Sequence, residues 1–253
     1  MRRRLGEVVA GGCLGWFGVG SEAGQHESGG DAYLEPYREA VRQVGPRFEA
    51  LLWNSVQTQE ARFAALIDAI EPVGRTIADL GCGRADLAAW MTRQGVAPAR
   101  YVGVDGLGEM IEFARDRAKD GSLGLTRFIH CDFVADGALF NRLVRRHHVD
   151  TLVFSGSLNT LEQGTARAVL DQAWRATSRR PGAILAFNFL SDRSGRSDDT
   201  GPARRFDTIK MLQWAMERTP LVRFRQDYLA GNDAMIVMRR PEGDRDERSR
   251  SGT

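Results

Sequence analysis

The sequence predicts an α/β fold in which a mostly parallel sheet carries helices on both faces. Short apolar runs alternate five times with segments whose apolar residues recur at helical spacing. Five such units imply a parallel sheet, because each right-handed crossover helix must cover one face of it. The chain has 253 residues, of which 42% are hydrophobic and 27% charged, as is usual for a globular domain.

The strands and helices follow one another in a regular order. Strands are predicted at 76–80, 101–105, 125–130, 149–155 and 183–190. Helices are predicted at about 85–94, 107–119, 137–146, 162–178 and 207–218. The last two strands, 221–228 and 234–239, are joined by a short link that contains Gly231 and Asn232. That link predicts an antiparallel hairpin at the edge of the sheet.

Two helices are predicted before the first strand, within residues 31–70. The first spans 33–45 and the second 47–70, with Pro46 in the first turn of the second. Together with the core at 76–239, they make one predicted domain over residues 31–240.

Both ends of the chain differ in composition from this domain. Residues 1–30 are rich in glycine and have no helical or strand period, which predicts a disordered leader. Three arginines before an apolar run also resemble a secretory signal, so export is the alternative. Residues 241–253 alternate opposite charges, which predicts a solvated tail.

Charge and cysteine usage limit the function classes. The net charge is +2, from 35 basic and 33 acidic residues, which argues against a dedicated polyanion binder. The cysteines, Cys13, Cys82 and Cys131, show no metal-type spacing and predict a reducing, cytoplasmic location. No apolar run approaches the ~20 residues of a membrane-spanning helix.

A glycine-containing loop follows the first strand, in the stretch Asp79-Leu80-Gly81-Cys82-Gly83. Ligands of open parallel sheets bind at the carboxyl ends of the strands, and glycine lets the backbone come close to them. A tight strand–helix turn without a ligand is the other interpretation. A dinucleotide fingerprint requires glycine at position 86, where Asp86 would instead repel a pyrophosphate. The ligand should therefore lack phosphate there and carry positive charge, as S-adenosylmethionine does.

This stretch resembles motif I of the class I S-adenosylmethionine-dependent methyltransferases. The stretch Tyr101-Val102-Gly103-Val104-Asp105, with Met110 after it, resembles their second motif. The resemblance covers residues 76–239 and implies a seven-stranded Rossmann-like sheet in the order 3-2-1-4-5-7-6. Ala85 departs from the family, which usually has a third glycine there.

The resemblance also implies which residues hold the methionine and ribose parts of the cofactor. Asp79 would face the methionine ammonium, and the loop from Gly81 through Cys82 to Gly83 would pack against the methionine and ribose. Asp105 would accept both ribose hydroxyls, although an acid that caps a helix is the alternative. Arg62 could pair with the methionine carboxylate or lie on the surface, and the N-terminal helices could fold over the pocket.

A second set of residues is implied on the adenine side. Gly106 and Met110 belong to the second motif, and Leu107 lies beside the adenine or in the core. Asp132 would accept from the adenine amine. Cys131 and Phe133 would pack on the ring, unless they only form the turn after the third strand.

The fourth strand ends in Ser155, Ser157 and Asn159, where this family places the transferring methyl. The sequence lacks the Asn/Asp-Pro-Pro-aromatic motif of enzymes that methylate adenine or glutamine amino groups. These three side chains offer hydrogen-bond donors and acceptors to a methyl acceptor, and none of them is a strong base. A polar turn without a ligand is the other interpretation. The insertion at 191–202 could be a lid or a disordered loop.

We therefore predict a methyltransferase that acts on oxygen or nitrogen of a small molecule. One alternative acceptor is RNA or a protein, for which the only candidate patch comprises Arg179, Arg180, Arg193, Arg196, Arg204 and Arg205. Another alternative is a non-catalytic protein that binds S-adenosylmethionine. The sequence leaves the oligomeric state open.

Overall fold

Eight strands form one mixed sheet in the computed structural model, which describes residues 31–194 and 201–242. In chain order they are β1 (Thr76–Leu80), β2 (Arg100–Asp105), β3 (Thr126–His130), β4 (Thr151–Phe154), β5 (Ile184–Ser191), β6 (Arg205–Phe206), β7 (Val222–Arg225) and β8 (Asp233–Arg239). The sheet order is β3-β2-β1-β4-β5-β8-β7, and β6 pairs with β5.

The predicted strand order is confirmed, with one additional strand. Strands β1 to β5 are parallel, and β8 pairs antiparallel with both β5 and β7. The additional strand, β6, pairs with the last two residues of β5. Two residues are too short to show a strand pattern, although Phe206 is fully buried.

The described ranges contain seven α-helices, six of which, α2 to α7, cover the two faces of the sheet. They are α1 (Glu35–Val44), α2 (Val56–Ile70), α3 (Asp86–Arg93), α4 (Gly108–Arg117), α5 (Leu139–Arg146), α6 (Gln163–Ala176) and α7 (Thr208–Met216). Helices α2, α3 and α4 pack in one buried cluster with Ile77, and α5, α6 and α7 pack in another with Ala78 and Leu80. The alternation along β1 assigns successive side chains to opposite faces, as strand geometry requires.

The start of the second N-terminal helix was predicted wrongly. Residues 47–70 do not form one helix, because Phe48–Leu51 is a 3₁₀ turn and Leu52 takes the left-handed conformation with φ +57°. Ser55 then caps α2, since its Oγ accepts the N–H of Thr58 at 3.1 Å. The break lets residues 51–54 cross over the carboxyl end of the sheet, where they line the pocket described below.

The terminal hairpin is confirmed, although its first strand is shorter than predicted. Strand β7 ends at Arg225, and a 3₁₀ turn, Leu229–Gly231, leads into β8. The predicted leader at 1–30 and the tail from 243 onward lie outside the described residues. Within the described ranges, no helix combines the length and the apolar character that crossing a membrane requires.

Candidate functional site

A cavity of about 680 Å³ lies at the carboxyl ends of the parallel strands. This volume lies within the usual range for small-ligand pockets. Of the residues predicted from the sequence, those that line it are Arg62, Gly81, Gly83, Asp105, Gly106, Leu107, Met110, Asp132, Phe133, Ser155, Ser157 and Asn159. The structure thus brings most of the predicted cofactor residues and the three acceptor-side residues into one pocket, whereas Asp79, Cys82 and Cys131 do not line it.

The glycine loop is folded tightly against the end of β2. The N–H groups of Gly81 and Cys82 both donate to the carbonyl oxygen of Val104, at 2.8 and 2.9 Å. Gly81 has φ +78°, and a Cβ there would lie 2.4 Å from Cβ of Ser157. A side chain at position 81 therefore cannot be accommodated without moving the β4 loop.

Ala85, the one departure from the family motif, takes a glycine-like conformation. Its φ is +58°, and its side chain is fully buried at the start of α3. The left-handed region costs a residue with a Cβ roughly 1–2 kcal/mol. Ala85 therefore holds a backbone conformation that suits glycine, at a cost in backbone strain.

Asp79 and Cys82 line a smaller cavity of about 30 Å³ beside the glycine loop. Asp79 is 3% exposed and accepts a hydrogen bond from the Tyr101 hydroxyl at 2.5 Å. Burial raises the pKa of Asp79 to about 7. Asp86 lines the same cavity, and its Oδ2 is buried without a hydrogen-bond partner. This small acidic cavity fits an ammonium group better than it fits an anion.

We expect cofactor affinity to rise with pH between about 5.5 and 7.5. A pKa of about 7 means that Asp79 is largely protonated below neutral pH and ionised above it. If the ionised carboxylate receives the cofactor ammonium, binding at low pH must release a proton, and affinity should fall up to about tenfold per pH unit below 7. Titration calorimetry with S-adenosylhomocysteine across this range measures the slope. Asp79→Asn should flatten it, and a slope unchanged in that variant would refute the assignment.

Asp105 ties the glycine loop to the end of β2. Its Oδ2 accepts the Gly83 N–H at 2.8 Å, and its Oδ1 accepts the Leu107 N–H at 2.9 Å. Burial raises the pKa of this carboxyl above its usual value. Asp105 therefore has two backbone N–H partners in addition to the ribose hydroxyls that the motif implies. Each carboxylate oxygen has a second lone pair that can still accept a hydroxyl.

Asp132 organises the turn after β3 and contacts the N-terminal segment. Its Oδ1 accepts the N–H groups of Val134 and Ala135, and its Oδ2 accepts the Tyr33 hydroxyl at 2.5 Å. Tyr33 was missed in the sequence, because no local pattern links it to a residue 99 positions away. Cys131, predicted to pack on the adenine, is not among the pocket-lining residues. Its thiol instead lies 3.4 Å from Asp136.

The N-terminal segment forms a roof over the pocket, as its position before β1 suggested. A Cβ on Gly106 would lie 3.1 Å from Leu34, and one on Gly83 would lie 2.7 Å from Leu51. A Cβ on Gly156 would lie 2.9 Å from the Trp53 indole. Tyr37 also lines the pocket, and burial raises its pKa to about 12. The sequence placed the N-terminal helices over the pocket without identifying Leu34, Tyr37 and Leu51, because their apolar spacing resembles ordinary core packing.

The end of β4 presents polar atoms that have no partner in the described structure. Ser155 Oγ, Ser157 Oγ and Asn159 Oδ1 are buried without a hydrogen bond. Asn188 fixes the turn between them, since its Oδ1 accepts the Gly156 N–H at 2.7 Å. Buried polar atoms are normally satisfied, so these three fit a ligand that donates hydrogen bonds.

Arg62 lines the pocket and is not a surface residue. It is 7% exposed, its Nε donates to the fully buried Asp233 at 2.5 Å, and its guanidinium lies 4.5 Å from the ring centre of Trp53. Tyr228 donates to the second oxygen of Asp233. Arg205, which the sequence placed only in a possible charge patch, lines the same pocket.

The fold is that of the class I, S-adenosylmethionine-dependent methyltransferases. Residues 77–180 match the family model described as a methyltransferase domain, and this match spans β1 through the helix after β4. S-adenosylmethionine is the cofactor of this class, and the close glycine loop, the acidic cavity and Asp105 suit its cationic and ribose parts. No curated protein matches the sequence significantly.

Solved structures with this fold include methyltransferases of distant sequence. The CcbJ methyltransferase from Streptomyces caelestis is 15% identical, with 82% of this chain and 98% of that chain covered at a TM-score of 0.59. The pyocyanin biosynthetic protein PhzM is 14% identical, with 81% and 61% covered at 0.58. The small RNA methyltransferase HEN1 is 14% identical, with 73% and 25% covered at 0.56. At these identities the likeness shows the fold alone.

Proposed function

We propose that this protein transfers a methyl group from S-adenosylmethionine to oxygen or nitrogen of a small molecule. The observation that carries the proposal is the roofed pocket, in which the glycine loop and the unpartnered polar atoms at the end of β4 share one cavity. Residues Tyr33, Leu34, Tyr37 and 51–54 line this cavity, whose volume is about 680 Å³. That volume suits a cofactor with a small acceptor.

The cofactor contacts divide along the strand ends. Asp79 with the Gly81–Gly83 loop would hold the methionine part, and Asp105 would hold the ribose. Leu107, Met110, Asp132 and Phe133 would surround the adenine, with Gly106 allowing close approach. When bound, the cofactor supplies a methyl group on a positively charged sulfur, which needs no further activation by the protein.

The protein's own residues must then position the acceptor and exclude water from the reacting groups. Leu51 lies against Gly83 in the glycine loop and Trp53 lies against Gly156 after β4, which would shield the reacting groups from solvent. Ser155, Ser157 and Asn159 would orient the acceptor by accepting its O–H or N–H groups. Among the described lining residues beside β4 and β5 there is neither a histidine nor a carboxylate. We therefore assign no general base.

The small-molecule acceptor is favoured over RNA by the surface charges. In the proposed patch, Arg204 is paired with Glu162 at 2.8 Å, and Arg193 lies 3.8 Å from Asp192. Arg196 lies outside the described residues. Paired arginines offer less charge to a phosphate backbone. The similarity to a pyocyanin biosynthetic protein and to a small RNA methyltransferase is a likeness of fold, so it does not distinguish the two acceptors, and RNA stays the alternative.

Two measurements test this proposal in sequence. Titration calorimetry should show binding of both S-adenosylmethionine and S-adenosylhomocysteine, and a folded protein that binds neither would refute it. Incubation with methyl-labelled cofactor and cell extract should then place the label in the small-molecule fraction. Label in the RNA or protein fraction would instead identify that macromolecule as the methyl acceptor. Binding without any turnover would leave a non-catalytic cofactor-binding protein.

A further inference from the structure

The end of the sheet that lies opposite the pocket carries many arginines. Strands β1 to β5 are parallel, so their amino ends lie together, and helices α5 and α6 end there. We call this the amino end. Within the described ranges, its arginines without a carboxylate partner are Arg100, Arg127, Arg145, Arg146, Arg175, Arg179, Arg180 and Arg240. On the pocket side, by contrast, Arg42 pairs with Glu35 at 2.6 Å and Arg204 pairs with Glu162 at 2.8 Å.

Part of this set is grouped around the end of α5. Val102, two residues after Arg100 and paired with Arg127, packs in the same buried cluster as α5. Side chains alternate along a strand, so both arginines lie on the sheet face that α5 covers. Helix α5 ends at Arg146, and His147 follows it. Burial lowers the pKa of His147, and the positive charges of these three arginines lower it further.

The end of α6 continues the group along the sheet. Arg180 Nη2 donates to the His148 carbonyl oxygen at 2.5 Å, which joins the turn after α6 to the turn after α5. Arg240, just after β8, donates to the Trp174 carbonyl oxygen at 2.5 Å, and its guanidinium lies 3.7 Å from the centre of that ring. The helix dipole favours a cation at each helix end. It does not account for the arginines on β2 and β3.

The carboxylates at the amino end are mostly neutralised. They pair as Asp150 with Arg75 at 3.7 Å, Glu71 with Arg239 at 3.3 Å and Asp116 with Lys119 at 2.6 Å. In the described ranges this leaves Asp120 and Glu242 there without a cationic partner. Positive charge therefore exceeds negative charge at this end, although the whole chain has a net charge of only +2.

Exposed apolar side chains lie at the same end. Val73 is 79% exposed before β1, Leu125 is 74% exposed before β3, and Leu221 is 46% exposed before β7, which runs parallel to β5. Met216, 61% exposed, ends the helix that leads to β7. No other large hydrophobic residue of the described chain is as exposed as these. Apolar side chains insert between lipids, whereas they add nothing to contacts with a nucleic-acid backbone.

The two kinds of side chain alternate across the amino end. The sheet order places Leu125 before β3, Arg100 at β2, Val73 before β1, His148 before β4, Arg180 before β5 and Leu221 before β7. At the usual strand spacing this row is about 29 Å long. We propose that the amino end docks on an anionic membrane surface, with its arginines at the lipid headgroups and its apolar side chains inserted between them. The pocket, at the carboxyl ends of the strands, would then face away from the bilayer.

Sedimentation with lipid vesicles tests this docking. The full-length protein is mixed with vesicles of phosphatidylcholine and phosphatidylglycerol, or with vesicles of phosphatidylcholine alone. We expect binding to the anionic vesicles to be about tenfold or more tighter, and to weaken as salt is raised. Arg145→Gln/Arg146→Gln should weaken it about tenfold or more. Leu125→Gln/Leu221→Gln should weaken it by a similar factor, because the inserted apolar area is lost.

A matched control removes the same charge from the pocket side. Arg42→Gln/Arg47→Gln replaces two exposed arginines between the roof segments and should bind vesicles as the wild type does. Equal binding to both vesicle types would overturn the proposal, as would wild-type binding by either variant of the amino end. Duplex RNA that binds more tightly than the anionic vesicles, and is lost in Arg145→Gln/Arg146→Gln, would assign this end to nucleic acid instead.

The affinity for S-adenosylhomocysteine separates this docking from the proposed methyl transfer. It should stay within about twofold of wild type in every variant, since none of the substituted residues lines the pocket. Loss of vesicle binding with unchanged affinity supports docking through the amino end. A loss of about tenfold or more in cofactor affinity would show that a variant disturbs the fold, and the remaining variant of the amino end then decides the outcome.

Discussion

Asp105→Ala should weaken cofactor binding about ten- to hundredfold and also lower the melting temperature. The binding loss follows from removing a charged acceptor of the ribose hydroxyls, where each hydrogen bond to a charged group contributes about 1.5–3 kcal/mol. The stability loss follows from the N–H groups of Gly83 and Leu107, which would lose their common acceptor. Calorimetry with S-adenosylhomocysteine and thermal unfolding of the free protein measure the two effects.

A ribose contact can be separated from a loop effect by changing the ligand. Adenosine and 2′,3′-dideoxyadenosine differ only in the hydroxyls that Asp105 would accept. The wild type should prefer adenosine, and Asp105→Ala should lose most of that preference. Asp120→Ala is the matched control, since Asp120 accepts the Ser122 N–H at 2.9 Å on the exposed surface. If Asp105→Ala keeps the wild-type preference for adenosine, the carboxylate only holds the loop.

The sheet could be predicted from the sequence because its signal is local. Each parallel strand is a short apolar run, and each crossover helix has its own apolar period. The glycine loop was also predictable, because Gly81 and Gly83 follow a strand and precede a helix. Strand β6 was not predicted, because a strand of two residues is too short to show an alternating apolar pattern.

The roof of the pocket could not be predicted because it depends on contacts between distant residues. Tyr33 bonds to Asp132 across 99 positions, and Arg62 bonds to Asp233 across 171. In neither pair does the spacing along the sequence indicate that the two residues are in contact. The break before α2 depends on Ser55, whose capping role competes with a helical apolar pattern on both sides of it. The apolar pattern predicted one helix over 47–70. The structure instead has a 3₁₀ turn at Phe48–Leu51 and a new helix, α2, whose start is capped by Ser55.

These long-range contacts bring distant parts of the chain to opposite sides of one pocket. Parallel strands bring the acids after β2 and β3 to one side, where a cationic cofactor would lie. The additional strand β6 and the β7–β8 hairpin bring Arg205 and the partner of Arg62 to the other side. Trp53 contacts the Arg62 guanidinium and packs on Gly156 at the end of β4, so it lies between the two regions.

Gly81→Ala should abolish measurable cofactor binding and destabilise the fold. The new Cβ would lie 2.4 Å from Cβ of Ser157, whereas carbon atoms normally approach to about 3.5–4.0 Å. The β4 loop and the glycine loop must therefore separate, at a cost of about 1–3 kcal/mol for overpacking. Left-handed backbone at φ +78° adds roughly 1–2 kcal/mol. Chemical unfolding and titration with S-adenosylhomocysteine measure the two losses, with an affinity loss of about a hundredfold or more expected.

Gly74→Ala isolates the backbone cost from the collision in this experiment. Gly74 has nearly the same φ, +77°, but nothing lies within 4 Å of its added Cβ. It should lose only the backbone contribution and bind the cofactor like wild type. Gly81→Ala/Ser157→Gly should recover part of the stability and part of the affinity, because glycine at position 157 lacks the Cβ with which the new Cβ at position 81 collides. If Gly81→Ala binds as Gly74→Ala does, the close contact between the two loops does not shape the cofactor site.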